Sequence, residues 1–187
     1  MVSVKRSRSM PIQPEALLAA ANKVVVAQGV DALTLEAVAR EAGVSKGGLL
    51  HHFPTKDALI VGMVQQVLNK FTAALNDELE KDSESEKAGH WVKAYVRASV
   101  LDSPEDIELY SSLLAAIVVN PELLKPIQDS WAEWQAKAES NGLKPEIATI
   151  IRLAVDGLAL TSLFGFAPLE ENLRSQVIET LLNLAQP

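Results

Sequence analysis

A chain of 187 residues is long enough for one compact domain, or for a small head joined to a larger body, with a core that needs neither metal nor disulfide to fold. Cysteine is absent, which excludes thiol nucleophiles, redox pairs and thiolate metal sites and fits a reducing, cytoplasmic setting. A net charge of −7 argues, as a sum, against a nucleic-acid partner, but the charges are unevenly placed: up to residue 58 seven Lys/Arg stand against five Asp/Glu, and the remainder carries ten against nineteen. The weakly basic head is therefore the surface where an anionic polymer would dock.

The chain opens with Lys5, Arg6 and Arg8, and no apolar run follows them, so no secretory signal is expected. Residues 15–28 read as a first helix, because Leu17, Leu18, Ala21, Val24, Val25 and Gln28 recur at helical spacing and Gly29 supplies a stop. The valines at 24–26 are the one strand-like exception and lie inside that helical pattern.

Residues 33–59 hold three helix starts in succession, at Thr34, Ser45 and Thr55, each with an apolar residue or an acid placed to support it. Leu35, Val38, Ala39 and Ala42 form a one-sided apolar stripe, and Gly43 sits where a left-handed residue would end the helix. The expected result is a helix-turn-helix whose second helix, residues 45–52, buries Leu49 and Phe53 and turns Lys46, Gly47, Gly48, His51 and His52 outward. Lys46 can donate to guanine edges or phosphate, and Gly47 and Gly48 leave the helix-start amides open to close approach, unless they simply form a loop. Lys56 is placed for a phosphate, or else is a solvated lysine. His51 and His52 are adjacent and have no His, Asp or Glu three or four residues on, so no metal site is expected there.

The run G-V-D-A-L-T followed by V-A-x-x-A-G-V-S-x-G-x-L-x-x-H-F-x-x-K-x-x-L is similar to the TetR family of bacterial regulators over residues 13–61. The resemblance implies an all-α homodimer in which the first three helices bind double-stranded operator DNA, a fourth links the domains, the last two pair with a partner, and the body encloses a small-molecule effector pocket. It places DNA contacts at Thr34, Ser45, Lys46, Gly47, Gly48, His51, His52 and Lys56. Where the family most often has a phosphate-touching Tyr this chain has Leu50, so one backbone contact is missing and His51 is the residue that would compensate.

Beyond residue 61 the residues speak alone. The polar run 77–87 and the breaks at 102–104, 120–121, 141–145 and 167–168 divide the rest into helices, about nine in all, giving a helix-turn-helix domain over 12–58 and a helical-bundle effector and dimerisation domain over 59–187. Residues 147–169 are apolar enough to raise the question of a membrane span, but Arg152, Asp156, Gly157, Gly165 and Pro168 argue for a buried or interface helix. Gly157, Thr161 and Gly165 fall at i, i+4 and i+8, and with Val177 and Leu181 they form a candidate dimer seam, internal packing being the alternative. Trp91, Tyr95, Tyr110, Trp131 and Trp134 are candidate pocket residues, or ordinary core. No cluster of charged residues marks an effector's charge. Phosphate loops, nucleophile elbows, metal spacings and acid–base pairs are all missing, so neither catalysis nor a cofactor is expected. The reading is a repressor released by its effector; the alternatives are an activator, or a helical interaction protein that binds no DNA.

Overall fold

The computed structural model describes residues 13–81, 87–99 and 104–186. The basic arm of Lys5, Arg6 and Arg8 lies outside the described residues, as do most of the charged run near residue 84 and the break at 102–103. Among the described residues there are nine α-helices and two 3-10 turns, with no strand. Two compact units divide the chain, Met1–Leu59 and Ile60–Pro187, and the division falls inside the fourth helix.

In the first unit α1 (Pro14–Gln28) starts on a proline and stops at Gly29, whose φ of 79° no β-branched residue would accept and whose N–H donates to the Val25 carbonyl at 2.8 Å. The valines at 24–26 are helical because Val24 and Val25 lie on the buried face with Leu17, Leu18 and Ala21; packing overrides their strand preference. A 3-10 turn (Val30–Ala32) leads to α2 (Leu35–Glu41), which packs on α1, and then to α3 (Lys46–His52), which packs on α2. Leu17, Leu33, Val38, Leu49 and Leu59 are fully buried, each contributing about 1.5–3 kcal/mol of burial energy.

The second unit continues α4 (Lys56–Lys81) and adds α5 (His90–Ala98), α6 (Pro104–Val119), a 3-10 turn (Pro121–Leu124), α7 (Lys125–Glu139), α8 (Pro145–Phe164) and α9 (Glu171–Leu184). α8 is the hub, touching α5, α6, α7 and α9. By length and composition α4 and α8 are each apolar enough to cross a bilayer. α8, however, carries the ion pair of Arg152 and Asp156, each 11% exposed, and buries Ala148, Ile151 and Val155 within the unit.

At the start of α5, Gly89 adopts φ +83° and its backbone meets the end of α9: a Cβ built there would lie 2.0 Å from the Ala185 carbonyl oxygen. Two of the proposed seam residues are placed otherwise than expected. Leu181 is only 6% exposed, because the inner face of α9 packs against α5 and α8. Gly165 is the left-handed cap of α8, φ +65°, so turn geometry rather than close helix approach accounts for its being glycine.

Candidate nucleic-acid interface and ligand cavity

All three helix starts are capped as their sequences dictate. The Thr34 hydroxyl accepts from Ala37 N–H at 3.1 Å, Ser45 from Gly48 N–H at 3.1 Å, and Thr55 from Ala58 N–H at 3.0 Å. Between the first two, Gly43 turns the chain at φ +66°, and the Val44 N–H donates to the Ala39 carbonyl at 2.9 Å. The outcome is a two-turn helix anchored by Leu49 alone, with Ser45, Lys46, Gly47, Leu50 and His51 exposed and Gly48 and His52 half-buried.

Gly47 is the most telling of these. A Cβ there would meet nothing within 4 Å, and its backbone is ordinary helix, so no internal packing or strain requires glycine. The bare backbone is useful only to something approaching from outside. Gly47→Ala is expected to raise the stability of the fold, by up to about 1 kcal/mol, while weakening duplex binding. Chemical denaturation and DNA titration of the same variant check the opposed signs.

Lys46 donates to the Glu36 carboxylate in an exposed ion pair, and that hydrogen bond, with the lysine's charge, holds the Glu36 carboxyl below the usual carboxylate range. Lys56, expected to reach outward, gives one N–H to the Val30 carbonyl at 3.2 Å and so also ties down the turn between α1 and α2. The His51 and His52 rings meet edge to face at 5.2 Å; among the described residues no group of three metal-ligating side chains exists.

Within the second unit a cavity of about 310 Å³ opens between α4, α5, α6, α7 and α8. Tyr95, Tyr110, Trp131 and Trp134 stand on its wall, joined by Phe71 from α4, whose ring centre lies 4.6 Å from that of Trp134 and 5.3 Å from that of Tyr95. Trp91 does not. It stacks on Tyr95 at 5.2 Å and borders a separate depression with His90 and Asn141.

The polar part of the wall is what the sequence did not reveal. Asp156 Oδ1 accepts from the Tyr95 hydroxyl at 2.7 Å, and its Oδ2 accepts from Arg152 Nη1 at 2.6 Å. Arg152 Nε donates in turn to Gln135 Oε1 at 2.6 Å, and the Gln135 amide donates to Thr149 at 2.8 Å. Burial pushes the Asp156 carboxyl up, opposed by the Tyr95 hydrogen bond and the Arg152 charge. Burial, reinforced by Asp156, drives the Tyr95 phenol far up, so it remains a protonated donor; burial and the nearby Asp106 push Tyr110 up to about 12. Asp106 is itself clasped by Lys70 at 2.7 Å on the same wall. The available signal was the Arg152 and Asp156 pair, two charges four apart in an otherwise apolar helix.

Residues 17–63 match the family described as bacterial regulatory proteins, tetR family, and residues 89–186 match the tetracyclin repressor-like C-terminal domain. The chain is 39% identical over 71 residues to the HTH-type transcriptional regulator RutR of Escherichia coli K12, a stretch covering 38% of this chain and 34% of RutR. Against the regulator BetI of Rhizobium meliloti it is 37% identical over 60 residues, 32% of this chain and 30% of BetI. The chain thus spans about a third of the length of these curated relatives. The multidrug binding protein EbrR, solved with malachite green, superposes with a TM-score of 0.65 at 25% identity, over 91% of this chain and 98% of EbrR. With both halves matched and the helix-turn-helix capped as described, the chain belongs to the TetR family of bacterial transcription regulators.

Proposed function

We propose that the protein is a dimeric repressor that binds a near-palindromic operator through α3 and releases it when a small molecule enters the cavity. The exposed, N-capped start of α3, with glycine at a position where nothing inside the protein requires it, carries this reading. Support for coupling comes from α4. Its first turn belongs to the first unit, and its residues Val64, Leu68 and Phe71 form cavity wall, so a ligand that displaces those side chains acts on the helix that leads to the head. That a structural relative has been solved with malachite green supports a ligand role for the cavity.

The test is fluorescence anisotropy with duplex DNA from the upstream intergenic region, at two salt concentrations, against a scrambled duplex. Tight, salt-sensitive, sequence-preferring binding is expected; binding equal to that of the scrambled duplex rejects operator recognition. In the same assay Lys46→Ala is expected to cost about tenfold in affinity (about 1.4 kcal/mol) and to flatten base preference. Lys56→Ala should weaken all sequences together and also loosen the Val30 turn, visible as a lower melting temperature.

A further inference from the structure

Taking the cavity as the effector site, as proposed above, we infer that its ligand is a flat aromatic molecule carrying one protonated nitrogen, seated among the cavity rings with its charge against Asp156. Three independent features lead there. Phe71, Tyr95, Tyr110, Trp131 and Trp134 surround the space with π surface, which attracts cations through the negative ring faces and stacks on planar ligands. A volume of about 310 Å³ suits about two fused rings rather than an extended chain.

The second feature is the arrangement of charge about the wall. Asp156 faces the cavity, whereas Arg152, which partners it, is not on the wall: it is held behind by Asp156 Oδ2 and by Gln135. A positive charge arriving from the cavity is nearer the carboxylate than the guanidinium, and Coulomb attraction falls with distance, so the nearer group prevails. Tyr95 spends its only proton on Asp156 Oδ1 and so shows the cavity an acceptor oxygen, while each carboxylate oxygen retains a further acceptor site. The other charges on the wall, Lys70 and Asp106, clasp each other at 2.7 Å and cancel. An anion would therefore find no uncommitted cation on this wall. Lastly, the chain beyond residue 59 carries ten Lys/Arg against nineteen Asp/Glu, a field that draws cations in and repels anions.

Three probes sharing one ring system separate the possibilities: 1-naphthylmethylamine, cationic at neutral pH; 1-naphthalenemethanol, neutral; and 1-naphthoate, anionic. Calorimetric titration of the full chain should show the amine binding about tenfold tighter than the alcohol, with the acid weakest. Asp156→Asn keeps the shape and the acceptor for Tyr95 but removes the charge, and should bring the amine to the affinity of the alcohol while leaving the alcohol within about twofold. Should that variant fail to fold because Arg152 is left buried and unpaired, the double variant Arg152→Gln with Asp156→Asn removes both charges and makes the same comparison. An alcohol or acid that binds the wild type as tightly as the amine overturns the charge assignment and leaves the effector reading standing. An amine preference that survives loss of Asp156 overturns the anchor. No binding by any probe overturns this inference; the effector reading, which names no ligand chemistry, stands apart from that result.

Discussion

On the proposed dimeric repressor, Leu153→Glu combined with Leu160→Glu is expected to give a folded monomer that has lost operator binding. Ile150, Leu153, Leu160 and Phe164 on α8 are 56%, 55%, 40% and 41% exposed, and with the open Gly157 between them they recur at alternating steps of three and four, the spacing of one helix seam. On α9, Leu173, Val177 and Leu184 continue an outward apolar face while Leu181 turns inward. Monomeric proteins seldom expose a contiguous apolar patch of this kind, and pairing with a second copy is the reading that covers it. A carboxylate buried without a partner at the middle of such a seam costs several kcal/mol; about 4 kcal/mol corresponds to a thousandfold weaker dimer. Light scattering reads the mass, circular dichroism the fold, and anisotropy the operator, which a single head would meet at only one half-site. A variant that stays dimeric places the subunit contact elsewhere.

Gly89→Ala is expected to be strongly destabilising, at about 2–4 kcal/mol. The φ of +83° alone costs a non-glycine residue about 1 kcal/mol or more. The added Cβ would then lie 2.0 Å from the Ala185 carbonyl oxygen and 3.1 Å from its carbon, both backbone atoms in a fully buried residue. Relief requires parting the start of α5 from the end of α9, and overpacking of that sort costs a further 1–3 kcal/mol or so. The melting temperature should fall by about 10 °C. Gly165→Ala is the internal control: it shares the left-handed backbone, φ +65°, but a Cβ there meets nothing within 4 Å, so only the conformational part, about 1 kcal/mol, should appear. Equal losses in the two variants would mean the α5–α9 contact contributes nothing.

The head was legible because its rules are local. A hydroxyl before a helix, an apolar residue on either side and a glycine at the stop act within four residues, so Thr34, Ser45 and Thr55 announce their helices whatever the rest of the chain does. The body was legible only as helices. Phe71 and Trp134 are sixty-three positions apart and meet through packing that no periodicity encodes, and the exchange of Trp91 for Phe71 on the cavity wall follows from which helix lies beside α5. Asp156 looked like an interruption in an apolar helix; that it is a pinned acceptor depends on Tyr95 and Gln135 arriving from two other helices. The small-residue stripe through Gly157, Thr161 and Gly165 shares only Gly157 with the exposed face of Ile150, Leu153, Leu160 and Phe164, since spacing alone cannot say which side of α8 its own neighbours already occupy.

The pairing of Lys46 with Glu36 bears on how the head discriminates before it ever meets its target. A lysine already engaged by a carboxylate does not gain a partner on touching a duplex; it trades one. At an arbitrary sequence the trade is one oxyanion for another, close to even, so the head has little reason to linger. At a site that adds base edges to the phosphates, the trade turns favourable. On the proposed role of Lys46, Glu36 is therefore a competitor that every duplex must displace, at the right site as at the wrong ones.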